Sequence, residues 1–342
     1  MHYQPAKQRY QDMPYRYCGQ SGLKLPRISL GLWQHFGDNT TREQQRALLH
    51  SAFDAGITHF DLANNYGTPY GSAEQNFGEV FRRDLRPFRD ELIISSKAGY
   101  DMWPGPYGQG GSSRKYLLAS LDQSLQRLGL DYLDIFYSHC YDPDTPLEET
   151  ASALATAVSQ GKALYVGISS YPSAQTREIT RLLRQWHVPL IVHQPAYNLF
   201  NRWIEQNLLE TCAAQGTGII AFSTLAQGLL SGKYTAATPA DKPRASIDQR
   251  ELSEQNYTRI AGLEAIARQR GQSLPQMALA WVLRLPEVTS ALTGVSSVAQ
   301  LQHNLQALEN TDFTPRELQA IDHYAIDGSS QFGRINDPRP EA

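Results

Sequence analysis

The sequence predicts an α/β protein in which eight parallel strands alternate with helices and close into a single (β/α)8 TIM barrel. Two observations support this prediction. Eight short apolar strand patterns alternate with helix patterns along the chain. No strand is followed by the G-x-G-x-x-G turn of an open dinucleotide-binding sheet, since the nearest candidate, residues 105–111, has the wrong spacing and carries a proline. A closed barrel is therefore favoured over an open doubly wound sheet.

The chain has 342 residues, a length that suits two ordinary domains or one barrel with added segments. No linker or low-complexity stretch divides it, so residues 1–342 are expected to form a single domain with a core over about 15–325. Apolar residues make up 41% and charged residues 19%, which excludes compositional disorder. A net charge of −3 provides no overall field that would attract nucleic acid or an anionic membrane.

The strand patterns are short runs rich in β-branched and aromatic residues, and several are apolar on both faces, as is typical of parallel strands covered by helices. A hairpin over 15–26, with a Gly-Gln-Ser-Gly turn, is expected before them. The eight predicted barrel strands are Ile28–Leu32, His59–Ala63, Leu92–Lys97, Leu133–His139, Leu164–Ser169, Leu190–Gln194, Ile219–Ser223 and Ser290–Gly294.

Amphipathic patterns predict the intervening helices, and a glycine suited to a left-handed C-cap follows several of them. A polar segment at about 235–255 follows the seventh strand, and two extra helices come before the eighth. The helices are predicted near 42–55, 73–84, 114–128, 147–160, 173–185, 205–215, 256–269, 274–285 and 297–308.

The cysteines and the apolar runs indicate the cellular compartment. Cys18, Cys140 and Cys212 are far apart and form no zinc or disulfide spacing, so no metal site and a reducing cytoplasm are expected. The N-terminal residues lack the apolar core of a secretory signal, and no stretch approaches 18 consecutive apolar residues, so no membrane span is predicted.

Three consecutive predicted strands end on polar side chains that suit acid–base chemistry. Asp61, Lys97 and His139 are expected at one barrel rim, where active sites of this fold lie, and Tyr66 follows Asp61 on the adjoining loop. A charged lysine would lower the pKa of the nearby tyrosine, so Tyr66 is a candidate general acid with His139 beside it. Each residue alone could instead be structural, as a rim ion pair, a satisfied histidine or a loop aromatic.

Later strand ends carry a second polar cluster that suits a phosphate-bearing ligand. Ser169, Gln194, the segment 223–228 and the segment 294–297 supply hydroxyl groups, an amide and glycines that permit close backbone approach. Two of these have simpler interpretations. Ser296 or Ser297 could only cap the last barrel helix, and Gln194 could only hold a rim loop.

Aromatic residues near the same rim could enclose a small substrate, or could simply pack within their own loop. Trp33 ends the first strand, and Tyr100, Trp103 and Tyr107 follow Lys97. Arg114, at a predicted helix start, could bind a substrate phosphate or could be solvated.

Asp61, Tyr66, Lys97 and His139 together resemble the catalytic tetrad of the aldo-keto reductases, in order and spacing. The resemblance extends from the hairpin to about residue 325. The chain is similar to the branch that holds voltage-gated potassium-channel β-subunits and bacterial L-glyceraldehyde 3-phosphate reductases. The segments 97–108 and 193–198 resemble the latter enzymes most.

The resemblance implies NADP(H)-dependent reduction of a small aldehyde. Tyr66 would donate the proton, and His139 would orient the substrate. Lys97, paired with Asp61, would adjust the pKa of Tyr66. The implied substrates are L-glyceraldehyde 3-phosphate and, secondarily, methylglyoxal. The residues expected to contact the substrate are Trp33, Tyr66, His139 and Trp103.

The resemblance also implies cofactor contacts. Ser169 and Gln194 would hold the nicotinamide carboxamide, with Trp33 and Asp61 also at the cofactor site. The remaining contacts would be Ser223, Leu225, Gly228, Ser231 and Lys233 along the pyrophosphate and Gly294, Ser296, Gln300 and Asn304 around the adenosine and its 2′-phosphate. Lys233 is the expected cation for that phosphate, with Arg244 or Arg250 as alternatives. His303 and Thr224 depart from the channel-subunit pattern and weaken the case for NADPH over NADH.

Two other functions compete with this one. The barrel could be a cofactor-sensing regulatory subunit with little turnover, although a binding scaffold would not need a charged Lys97 beside Tyr66. A metal-dependent hydrolase or a Schiff-base aldolase is weaker, because the nine histidines form no ligand cluster and a Schiff base at Lys97 would not explain Tyr66 and Asp61. The resemblance also implies a homo-oligomer, a tetramer or octamer.

Overall fold

The computed structural model describes residues 3–234 and 253–325. Eight parallel strands form a closed barrel in chain order, and the last of them pairs with the first. The predicted (β/α)8 barrel is therefore confirmed. The barrel strands are β3 (Ile28–Gly31), β4 (His59–Asp61), β5 (Ile93–Ala98), β6 (Leu133–Ser138), β7 (Ala163–Ser169), β8 (Leu190–Gln194), β9 (Gly218–Ala221) and β10 (Val288–Thr293).

Helices surround the barrel, and all but the last lie close to the predicted positions. They are α1 (Arg42–Asp54), α2 (Ser72–Val80), α3 (Arg114–Leu128), α4 (Leu147–Ser159), α5 (Ser173–Gln185), α6 (Ile204–Gln215), α7 (Glu254–Gln269), α8 (Leu274–Leu283), α9 (Val298–Leu305) and α10 (Pro315–Asp322). The predicted helix over 73–84 is α-helical only to Val80 and continues as a π-helical turn. The predicted helix over 297–308 likewise ends in a 3-10 turn.

Burial explains the apolar strand patterns. Every residue of β6, β8, β9 and β10 is buried, because helices cover the outside of the barrel and side chains fill its interior. Gly129 and Gly216 follow α3 and α6 with φ of 69° and 74°, the left-handed C-cap expected there.

A two-stranded antiparallel hairpin, β1 (Tyr15–Tyr17) and β2 (Lys24–Pro26), covers the amino-terminal end of the barrel. The Cys18 thiol, at its turn, donates to the Ile191 carbonyl at 3.3 Å. The buried Arg27 guanidinium donates to the Val288 carbonyl at 2.7 Å. Because the hairpin closes this end, the opposite rim is the one left for a site.

Within residues 3–234 and 253–325, no helix combines the length and the apolar character needed to cross a membrane. Most of the predicted polar segment after the seventh strand, with Arg244 and Arg250, lies outside the described residues.

Candidate active site

A cavity of about 330 Å³ lies at the carboxyl ends of the barrel strands, within the size range of small-molecule sites. Residues from loops that follow most of the strands line it, so distant parts of the sequence meet there. The predicted site residues that line this cavity are Trp33, Asp61, Tyr66, His139, Ser169, Gln194, Ser223, Leu225, Gly228, Ser231, Gly294 and Gln300.

A buried ion pair forms the floor of the cavity. The Lys97 ammonium donates to Asp61 Oδ2 and, at 2.7 Å, to the Leu62 carbonyl. Asp61 Oδ1 accepts from the Ser95 hydroxyl at 2.6 Å and from Gln194 Nε2 at 3.2 Å. Both charged side chains are 0% exposed, so each needs these partners to offset the loss of hydration.

Tyr66 and His139 lie directly beside this pair. Lys97 Nζ is 5.0 Å from the centroid of the Tyr66 ring, and the Tyr66 and His139 ring centroids are 5.8 Å apart. Trp33, 47% exposed, packs its ring 6.3 Å from that of Tyr66. The structure thus brings Asp61, Tyr66, Lys97 and His139 together.

The expectation of a lowered tyrosine pKa is wrong for this structure. Burial raises the pKa of Tyr66 well above its ordinary value, and the negative charge of Asp61 raises it further. Burial also lowers the pKa of Lys97, while Asp61 opposes that change. Tyr66 is therefore a protonated phenol at neutral pH, which is the form that a proton donor requires.

His139 is uncharged at neutral pH. Burial and the positive charge of Lys97 hold its pKa well below the ordinary value. The Tyr100 ring packs edge-on against it at 4.7 Å, and its Nδ1 has no hydrogen-bond partner among the described residues. A neutral imidazole at this position can donate one hydrogen bond to a carbonyl oxygen in the cavity.

Acceptor atoms mark the part of the cavity next to the ion pair. The Ser169 hydroxyl donates to the Gln194 carbonyl at 2.8 Å, and Gln194 Nε2 donates to Asp61. Because the Ser169 hydroxyl proton and the Gln194 amide group are engaged in these hydrogen bonds, the oxygens that remain available are Ser169 Oγ and Gln194 Oε1. Both can offer lone pairs to an amide NH₂. These two acceptors fit the NH₂ group of a nicotinamide carboxamide.

The segment after β9 borders the other end of the cavity with an unusual backbone. Ser223 and Gln227 adopt φ of 52° and 56°, a conformation that non-glycine residues rarely adopt, and Gly228 follows with φ of 114°. The buried Ser231 hydroxyl has no hydrogen-bond partner among the described residues. Across the cavity, a Cβ on Gly294 would meet only Gly31 O, at 3.7 Å. The curled backbone, open glycine and available hydroxyl fit a dinucleotide phosphate.

Five of the predicted site residues do not line the cavity, and one of them is the fully buried Lys97. Lys233 is exposed, and the Ser296 hydroxyl donates to Gln300 Oε1 at 3.0 Å. Asn304 is buried and donates to Thr293 Oγ1 at 3.3 Å. Trp103 packs on Tyr116 of α3, with ring centroids 5.1 Å apart.

Arg114, considered for a substrate phosphate, does not line the cavity, and its guanidinium contacts α4. It donates to Ser152 Oγ at 2.9 Å and to Thr156 Oγ1 at 2.8 Å, both on α4. The Ser297 hydroxyl accepts from the backbone N–H of Gln300 at 3.2 Å and so caps α9. His303 contacts the Ser273 hydroxyl at 2.8 Å rather than the cavity.

Several cavity residues were not among the predicted site residues. Their signal was weak, because most are uncharged residues that follow a strand end in the loop. They are Gly31, Gln34, His35, Asn65, Tyr100, Phe222, Thr224, Gln227, Leu292, Thr293 and Val295. Within the described ranges, no group of three His, Cys, Asp or Glu side chains is arranged to hold a metal ion.

Comparison with known proteins agrees with this geometry. The Aldo/keto reductase family profile matches residues 27–326. The chain is 57% identical over 329 residues to L-glyceraldehyde 3-phosphate reductase of Escherichia coli K12, covering 94% of this chain and 95% of the relative. It is 36% identical over 309 residues to a probable voltage-gated potassium channel subunit beta of Oryza sativa subsp. japonica, covering 87% and 92%. The chain therefore belongs to the aldo/keto reductase family of oxidoreductases.

Proposed function

We propose that the protein uses NADPH to reduce small aldehydes, with L-glyceraldehyde 3-phosphate as the preferred substrate and methylglyoxal as a secondary one. The observation that carries this proposal is the protonated Tyr66 above the buried Asp61–Lys97 pair and beside the neutral His139. The 57% identity to an enzyme named for that substrate supports the choice of aldehyde.

In this proposal the reacting carbonyl oxygen lies between Tyr66 and His139. Ser169 and Gln194 would hold the nicotinamide of NADPH, whose chemistry when bound would be donation of a hydride to the carbonyl carbon. The Tyr66 hydroxyl gives its proton to the oxygen as negative charge develops there, and the neutral His139 donates a hydrogen bond to the same atom. The Lys97 ammonium stabilises the phenolate that remains, while Asp61 keeps that ammonium charged and in place.

The cofactor contacts are assigned from the cavity lining. Ser169 and Gln194 would accept from the carboxamide, and Trp33 and Asp61 would border the nicotinamide. The segment that contains Ser223, Leu225, Gly228 and Ser231 would border the pyrophosphate, and Gly294 and Gln300 would border the adenosine, since all of these residues line the cavity. Lys233 is exposed, so we assign its long side chain to the 2′-phosphate at the edge of the cavity. Ser296 and Asn304 support this end through Gln300 and Thr293.

Tyr66→Phe tests the role of the hydroxyl. We expect turnover to fall by roughly 10²–10⁴-fold, the range for loss of a general acid, with the Kd for NADPH unchanged in a fluorescence titration. Tyr107→Phe is the matched control, because Tyr107 is 65% exposed and does not line the cavity. Turnover close to wild type in Tyr66→Phe would contradict the assignment.

Steady-state kinetics test substrate and cofactor together. We expect kcat/KM to be highest for L-glyceraldehyde 3-phosphate, lower for methylglyoxal and lower again for D-glyceraldehyde 3-phosphate. NADPH should be preferred over NADH, and Lys233→Met should reduce that preference because it removes the charge and keeps the chain length. A preference for NADH would refute the phosphate assignment.

A second candidate function is a cofactor-sensing regulatory subunit. It is favoured by the identity of 36% and 34% to probable voltage-gated potassium channel subunits beta of rice and Arabidopsis thaliana. The kinetic screen separates the two, because NADPH binding without turnover of any short aldehyde would support the regulatory role. We further propose that residues 1–342 form one domain that works in the cytoplasm as a homo-oligomer, a tetramer or octamer.

A further inference from the structure

A line of hydrogen-bonded side chains runs through the barrel interior and ends on Asp61. Ser290 Oγ lies 2.7 Å from Ser29 Oγ, which lies 2.9 Å from His59 Nδ1. His59 Nε2 lies 3.0 Å from Ser95 Oγ, and the Ser95 hydroxyl donates to Asp61 Oδ1 at 2.6 Å. All five side chains belong to residues that are 0% exposed. The line therefore lies inside the barrel and meets the cavity only at Asp61, among the described residues.

The direction of each hydrogen bond follows from the proton count. Asp61 is paired with Lys97 and only accepts, so it takes the single hydroxyl proton of Ser95. Ser95 Oγ must then accept from His59 Nε2–H. A neutral imidazole carries one N–H, so His59 Nδ1 accepts from Ser29. Every donor in the line consequently points toward Asp61.

Burial keeps the imidazole neutral. It lowers the pKa of His59 to about 4, while Asp61 on the same strand raises that pKa and Lys97 on β5 lowers it. Ser29 on β3 and Ser95 on β5 are uncharged. Because neutral histidine has two tautomers, the partners on its two sides decide which is present.

We propose that His59 is a positioning residue for the reaction, whose Nε2–H tautomer commits the Ser95 hydroxyl to Asp61 and so holds the Asp61–Lys97 pair beneath Tyr66. The opposite tautomer would turn Nε2 into an acceptor and draw the Ser95 proton toward the imidazole. Asp61 Oδ1 would then keep only Gln194, the side chain that we assign to the carboxamide. This inference rests on the proposed function, because it acts through Tyr66 as the proton donor.

Loss of the Nε2–H donor has a defined electrostatic consequence. The bond from Ser95 to Asp61 weakens, since hydrogen bonds in a buried chain polarise one another. A buried carboxylate with less donation becomes more basic and draws the Lys97 proton closer. The positive field at Tyr66 then falls, and its proton becomes harder to release.

The tautomer can be observed without turnover. Nitrogen-15 labelling of the nine histidines, with His59 assigned from the signals that disappear in His59→Gln, reports the protonated nitrogen directly. We expect Nε2–H, with no titration between about pH 5.5 and 8. An Nδ1–H tautomer, or titration in that range, would overturn the proposal whatever the activity.

Substitutions at His59 test the effect on the reaction. We expect His59→Leu to lower kcat about 10-fold with little change in KM, as for other outer hydrogen-bond partners, and to move the falling limb of the reduction pH profile to higher pH. His59→Gln restores an N–H toward Ser95, so it should recover most of the kcat and return the pH profile most of the way to that of the wild type. Unchanged kcat and pH profile in His59→Leu would overturn the positioning role, and so would failure of recovery in His59→Gln.

Matched controls separate positioning from stability. His193 on β8 is also 0% exposed, and its Nε2 accepts from the Tyr171 amide at 3.1 Å, with no contact to Asp61. His193→Leu should therefore destabilise the protein but leave the pH profile in place, and an equal movement of the profile would contradict the proposal. If His59→Leu does not fold, Ser95→Ala serves instead and should move the profile in the same direction.

A control for Ser95→Ala lies one residue along the same strand. The buried Ser96 hydroxyl donates to Glu74 at 2.6 Å rather than to Asp61, so Ser96→Ala should move the profile less. An equal or larger movement in Ser96→Ala would overturn the proposal. These outcomes are separate from failure of the proposed function, which is read from full turnover in Tyr66→Phe.

Discussion

Among single residues, Cys140 shows how burial controls the chemistry of a group beside the cavity. It follows His139, is only partly exposed, and its thiol donates to the Gly99 carbonyl at 3.3 Å. Burial, and to a smaller extent the nearby carboxylate of Asp142, raise the pKa of this thiol to about 12. Burial also raises the pKa values of Cys18 and Cys212 to about 12. All three are therefore protonated, weakly nucleophilic thiols at neutral pH.

We accordingly expect the native protein to resist alkylation. Iodoacetamide at pH 7.5 should modify Cys140 at least about 100-fold more slowly in the native protein than in urea, because the thiolate is the reacting species. Mass spectrometry of timed samples measures the rate at each cysteine. Native labelling of Cys140 at the rate of the unfolded chain would show that its thiol is not held in the protonated form.

At the scale of elements, β6 and β7 meet through a large and a very small residue. Tyr137 on β6 is fully buried in the barrel interior, and its ring centroid lies 5.6 Å from Lys97 Nζ. A Cβ on Gly167, in β7, would lie 2.5 Å from Tyr137 Cδ1 and 2.7 Å from Val192 Cγ1. The missing side chain at Gly167 therefore makes the space that Tyr137 fills beneath the ion pair.

Gly167→Ala should reduce both stability and activity. We expect a loss of about 1–3 kcal/mol in the free energy of unfolding, the usual range for an overpacked core, and lower turnover because Tyr137 is pushed toward Lys97. Gly294→Ala is the matched control for stability, since its new methyl group has open space; it should leave unfolding unchanged and weaken NADPH binding. Urea unfolding and a binding titration measure the two effects, and equal unfolding curves for both variants would contradict the packing argument.

The whole molecule combines a closed amino-terminal end with buried histidines that stay uncharged. Burial lowers the pKa of His59 to about 4 and that of His193 to about 3, and it holds the pKa of His139 well below its ordinary value. In the unfolded chain the pKa of these histidines is about 6.5. The unfolded state consequently binds more protons than the native state at mildly acidic pH.

Stability should therefore fall as the pH falls through the histidine range. From about pH 6.5 down to about pH 5, each of these histidines contributes a loss of up to about 2 kcal/mol, since one pH unit corresponds to about 1.4 kcal/mol. Urea unfolding at several pH values measures the slope, and His193→Gln should make it shallower because one such histidine is removed. A slope of zero over this interval would contradict the buried, neutral state of these side chains.

Chain order alone was enough to predict where the tetrad residues lie. Asp61, Lys97 and His139 each end or follow a parallel strand, and parallel strands of a closed barrel all end at one rim, so their proximity follows from counting strands. The tight spacing between Asp61 and Tyr66 placed the tyrosine in the same way. Helices and strands were predictable for a similar reason, because burial on one or both faces leaves a periodic apolar pattern.

Only the tertiary structure decided the surroundings and hence the properties of these groups. The raised pKa of Tyr66 and the packing of Trp103 on Tyr116 depend on neighbours from other elements. The line through Ser290, Ser29 and His59 joins three strands that are distant in the sequence. The sequence by itself determined the barrel and the rim to which each polar residue belongs, since these follow from local periodicity and strand order. Hydration, charge and hydrogen-bond direction depend on distances between remote residues, which exist only once the barrel has closed.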